Sequence, residues 1–91
     1  MFEDTHTIQD IISSLGEMIK SKREELALTQ TDLANKTGLN RNTIQKLEYG
    51  KNSTLLSLLQ VLRYFGLEQE FHKLMKGLLE VSDYPDTLYG E

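Results

Sequence analysis

Apolar residues recur at helical spacing through most of this chain, and the polar residues between them mark where helices begin and end. Ile8, Ile11, Ile12, Leu15, Ile19 and Leu26 fall along one stripe, which predicts a long first helix opened by Thr7, whose hydroxyl can accept from an otherwise free N–H. Ser13 and Ser14 interrupt the stripe, so the alternative is a fresh helix starting at Leu15; we read one helix with a bend at the serines. Residues 1–6 precede the pattern and are expected to fray. After Lys51, Ser53 or Thr54 caps a fourth helix with Leu55, Leu58, Val61, Leu62 and Phe65 as its core face. That leaves Leu56, Leu59 and Tyr64 on the other sides, and a helix apolar nearly all round in so small a protein calls for a partner. Gly66 stops it, and a fifth helix from about Glu68 carries Phe71, Leu74, Met75 and Leu78 on one side, with Gly77 weakening its end.

Between the first and fourth helices, residues 28–51 read as two short helices joined by a tight turn. Thr29 caps the first, and Leu33 and Ala34 give it a narrow apolar face. Gly38 suits the left-handed conformation that closes a helix, and Asn40 caps the next one almost at once. Ile44 and Leu47 form the buried side of this third helix, and Gly50 ends it. Its other side holds Arg41, Asn42, Thr43, Gln45 and Lys46, a set of cations and amides with no acid. These are the side chains that match base edges in the major groove, Arg and Lys to guanine acceptors, Asn and Gln to adenine.

From about Leu15 to Gly66 the chain resembles the Cro/repressor-type (Xre-like) helix-turn-helix family. The resemblance rests on Leu15, Gly16, Ile19 and Arg23, then Leu28-Thr29-Gln30, Leu33-Ala34, Gly38, Ile44, Leu47-Glu48 and Gly50-Lys51. It implies an all-α, five-helix lambda-repressor-like DNA-binding domain over residues 1–79, with an extended first helix, the motif at 29–50 and the third helix in the major groove. Carried over by position, Arg41, Asn42 and Lys46 would read bases. Gln30, Asn40, Lys51 and Asn52 would lie near the phosphates, with Thr43 and Gln45 able to act in either way. The resemblance also implies a structural ion pair between Arg23 and Glu48. Ala27 departs from it, because the family has Gly where the first helix ends. A two-fold dimer on a palindromic site is implied too, with Leu56, Leu59, Tyr64, Phe71 and Met75 as the dimer or partner surface. The second half of the chain is also similar to HipB-like antitoxins, which implies as an alternative a HipA-type kinase toxin as partner and autoregulation of the operon. Phage-type repressors and restriction-modification controllers share the same domain.

Composition narrows this picture. Ninety-one residues make one domain with little margin against chain entropy, so a dimer would help it. With 38% apolar and 26% charged residues, no apolar run of membrane length and no charged-then-apolar leader, the chain reads as cytoplasmic. The absence of cysteine excludes disulfides and thiolate zinc sites, and His6 and His72 are too far apart in sequence to suggest a metal pair, so no cofactor is expected. No nucleophile, phosphate loop or paired-carboxylate spacing points to an enzyme. The net charge of −4 runs against DNA binding until its distribution is considered. Residues 80–91 hold Glu80, Asp83, Asp86 and Glu91 with no base, which leaves the rest neutral. Residues 36–51 hold Lys36, Arg41, Lys46 and Lys51 against Glu48 alone. A basic face on a neutral body suits double-stranded DNA. The acidic tail reads as a flexible, solubilising segment, or else as a peptide docking on a partner through Tyr84, Leu88 and Tyr89.

Overall fold

The computed structural model describes residues 7–80. The tail residues Asp83, Tyr84, Asp86, Leu88 and Tyr89, and His6, lie outside the described residues. Five helices follow in order: α1 Ile8–Glu25, α2 Gln30–Thr37, α3 Arg41–Glu48, α4 Leu55–Tyr64 and α5 Glu68–Leu79. The all-α, lambda-repressor-like class expected from the sequence is the one observed.

Side-chain caps open four of the helices. Thr7 and Asp10 form a reciprocal capping box, with the Asp10 amide donating to the Thr7 hydroxyl and the Thr7 amide to the Asp10 carboxylate. Thr29 and Asp32 repeat it on α2. Asn40 caps α3, and Thr54 rather than Ser53 caps α4. Helix α5 opens at Leu67 with no side-chain cap. The serines Ser13 and Ser14 lie inside α1, which runs as a single element through them. It ends where Ala27 takes φ +58°, accepting the left-handed conformation.

The core is small and central. Ile19 of α1, Leu33 and Ala34 of α2, Ile44 and Leu47 of α3 and Val61 of α4 form one cluster, with Leu15, Met18, Leu28, Leu39, Leu58 and Phe65 packed around it. Each fully covered Leu, Ile or Val in such a cluster is worth about 1.5–3 kcal/mol of burial. Two expectations about burial need correction. The stripe of α1 does not lie wholly in the core: Ile8, Ile11 and Leu26 are exposed. Leu55, assigned to the core face of α4, is 66% exposed, because it is the first residue of its helix and nothing described covers that turn. Helix α5 packs on α4, and none of its residues is buried. Among the described residues no helix is long and apolar enough to cross a membrane.

Candidate nucleic-acid interface

Helix α3 is fixed at both ends by its own sequence. At its start Asn40 turns its amide oxygen inward, accepting from the Thr43 backbone N–H over 2.8 Å and from the Thr43 hydroxyl over 3.0 Å. Thr43 therefore spends its own proton locally, while the NH₂ of Asn40 stays available to an outside acceptor. At the other end Gly50 takes φ +72°, and the Lys51 N–H reaches back to the Lys46 carbonyl over 2.8 Å while the Gly50 N–H donates to Leu47. This is the two-bond closure that a left-handed glycine allows.

Between these ends the helix sorts its residues by chemistry. Ile44, Leu47 and Glu48 are buried; Arg41, Asn42 and Lys46 are exposed, and Thr43 and Gln45 are half-buried. Lys51 and Asn52 are exposed just beyond the helix. No acidic residue lies in the first turn of α3, so nothing opposes an anion approaching its positive end. The one acid of the stretch, Glu48, faces inward. The outward face thus holds hydrogen-bond donors, amides and positive charge without a carboxylate, imidazole or thiol, which fits phosphates and base edges and not a metal ion.

Glu48 is held in a buried network. Arg23 Nε donates to one carboxylate oxygen over 2.6 Å and Arg23 Nη2 to the other over 3.1 Å, while Nη1 donates to the Leu28 carbonyl over 2.8 Å. The bond to Glu48 raises the Arg23 pKa above its ordinary value against the opposing effect of burial. Gln30, at the first position of α2, adds a third donor to Glu48 over 3.0 Å. One N–H of its amide is thereby committed inward, leaving the other for solvent or a phosphate.

Helix α1 meets this motif at very short range. A Cβ on Gly16 would sit 2.5 Å from the Leu47 carbonyl oxygen and 2.6 Å from that of Glu48, so only glycine lets the two helices approach this closely. Two turns nearer the start of α1, Gln9 Nε2 donates to the Gly50 carbonyl over 2.8 Å and to Ser13 Oγ over 3.1 Å. The helix-turn-helix pair is therefore mounted against α1 by Gln9, Gly16 and Arg23.

A family model described as Helix-turn-helix matches residues 19–68, spanning the last two turns of α1 through the first residue of α5. The chain belongs to the helix-turn-helix family. Seven solved chains match it. One is a point mutant of the Restriction-Modification Controller Protein C.Esp1396I, 29% identical to this chain, covering 85% of this chain and 99% of its own length at a TM-score of 0.59. No curated protein matches. This helix-turn-helix protein is a DNA-binding transcriptional regulator.

The residues assigned to a dimer or partner surface are only partly brought together. Leu56, Leu59, Phe71 and Met75 line one groove of about 400 Å³ between α4 and α5. Tyr64 is not among its walls and instead packs against Phe65, ring centroids 5.8 Å apart. Gln60, which the sequence did not single out, holds its Oε1 in a buried position without a hydrogen-bond partner among the described residues. Two further residues went unnoticed, Gln9 and Tyr49. Tyr49 follows Gln45 and Lys46 by four and three residues, a spacing that places it on their side of the helix.

Proposed function

We propose that this helix-turn-helix protein is a dimeric repressor that reads a palindromic operator, each subunit placing α3 in the major groove. The observation that carries the reading is the outward face of α3: Arg41, Asn42 and Lys46 are exposed while Glu48, the one acid of residues 36–51, is buried on Arg23. In this reading Arg41, Asn42 and Lys46 contact bases, and Gln30, Asn40, Lys51 and Asn52 lie along the phosphates, with Thr43 and Gln45 supporting them. One short helix covers few base pairs, so affinity comes from two of them about 34 Å apart along the duplex. The exposed apolar side chains of α4 and α5, Leu56 at 66% and Phe71 at 37%, support pairing of two chains through that side.

One similar solved structure is a restriction-modification controller, which favours regulation of that kind over an antitoxin role beside a HipA-type toxin. Selection of bound duplexes from a random pool tests the reading. A palindrome is expected, along with a dimer in sedimentation that Leu59→Glu converts to monomer. Arg41→Ala should cost about 1–3 kcal/mol and relax preference at one base pair, whereas Lys51→Ala should weaken all sequences alike and lower the salt slope by about one. A chain monomeric both free and on DNA, or an Arg41→Ala variant with unchanged base preference, would reject it.

A further inference from the structure

Tyr49 is an aromatic residue left in the open at the end of the helix whose other outward residues are polar. It is 63% exposed. Its backbone is not free to wander: its N–H donates to the Gln45 carbonyl, and the Gly50 closure follows immediately. Among the described residues its hydroxyl forms no hydrogen bond, so on a 63% exposed side chain it is open to solvent or to an outside acceptor. Around it lie Gln45, Lys46, Lys51 and Asn52, which with Tyr49 enclose a shallow depression of about 420 Å³. Gln45, Lys46 and Tyr49 follow Asn42 by three, four and seven residues, so Tyr49 continues the outward stripe of α3 just past its last turn.

We infer that Tyr49 is a further DNA-contact residue, whose hydroxyl donates to a phosphate oxygen at the edge of each half-site while its ring walls the depression that receives the sugar-phosphate backbone. This rests on the reading of α3 as the major-groove helix. The placement decides between backbone and base: Tyr49 is the last residue on the stripe, beside Lys51 and Asn52, where the chain leaves the groove. A neutral hydroxyl differs from a lysine in one measurable way. It adds a hydrogen bond without displacing a counterion, so its loss weakens binding and leaves the salt dependence alone.

The test compares wild type, Tyr49→Phe and Lys51→Ala on a duplex selected by the wild-type protein and on a scrambled duplex, across a range of salt. Tyr49→Phe should weaken both duplexes by the same factor, about three- to tenfold, with an unchanged salt slope and an unchanged melting temperature, whereas Lys51→Ala should lower the slope. Uncharged methylphosphonate placed singly along the operator should identify one phosphate per half-site whose replacement weakens wild type but not Tyr49→Phe. Equal affinity of Tyr49→Phe and wild type overturns the assignment. So does a changed base preference in Tyr49→Ala with none of the loss in Tyr49→Phe, since that would make the ring a base reader. Failure of the wild type to retain any duplex is a separate result and removes the major-groove reading together with this one.

Discussion

Arg23 and Glu48, 25 residues apart, meet in a buried two-pronged bond of 2.6 and 3.1 Å that joins α1 to the end of α3. Each leaves the other stranded when removed, because Arg23 keeps only the Leu28 carbonyl and Glu48 only Gln30. Arg23→Ala or Glu48→Ala is therefore expected to lower stability by about 3–5 kcal/mol, read as a reduced urea midpoint. Replacing both by apolar residues of similar volume should cost much less than either alone. A double variant as unstable as the sum of the singles would mean that the two side chains do not act as a pair.

Gly16→Ala tests the close crossing of α1 and α3. The added methyl would lie 2.5 Å from a backbone oxygen of α3, and a carbonyl held in a helix cannot swing aside as a side-chain end can. A loss of about 1–3 kcal/mol is expected in thermal or urea unfolding. Gly77→Ala provides the contrast, since a Cβ there meets nothing within 4 Å; it should hold or raise stability through its better helix propensity.

Ala27 offers the opposite sign. Its φ of +58° puts a β-carbon where glycine would sit without strain. Ala27→Gly should raise stability by about 1 kcal/mol, visible as a higher melting temperature. An unchanged or lower midpoint would show that the helix end relaxes in solution to accommodate the alanine.

Asp32 carries the pH dependence of the α2 cap. The Thr29 backbone N–H, and then the Thr29 hydroxyl, hold its carboxyl below its ordinary value. A folded-state pKa lower than the unfolded one contributes stability that is present above the unfolded value and lost as pH falls through the folded one. The carboxyl resonance of Asp32 should therefore titrate at lower pH than that of Asp32 in the unfolded chain. Asp32→Asn should remove this part of the acid sensitivity, and an Asp32 that titrates at its ordinary value would disprove the reciprocal cap.

The starts of the first four helices were legible because short-range chemistry writes them: Thr7, Thr29, Asn40 and the Ser53-Thr54 pair are local cap signals that need no knowledge of the rest of the chain, although the reciprocal bonds from Asp10 and Asp32 emerge only in the structure. Burial was legible only where a second helix covers the stripe. Ile19 and Ile11 share one periodicity, yet the first is fully buried and the second 55% exposed, since spacing reports a side of a helix and not what lies against it. In the candidate site the polarity of α3 could be read directly. Of the long-range partners, Arg23 with Glu48 was expected from the family resemblance alone; Gln9 on the Gly50 carbonyl and Gln30 on Glu48 were not, because they depend on how distant segments fold together.

Gln9, Gly16 and Arg23 stand seven residues apart along α1, and each touches the end of α3 or the turn after it. Two helical turns separate each from the next, which is why a single side of α1 can present all three. One residue added or removed between them would rotate the contacts on one side of the change by about 100° around the helix axis relative to the others. No sliding of α1 could then restore the set. The interval from 9 to 23 can therefore drift in composition at its outward positions, but its length is locked to the helix it carries.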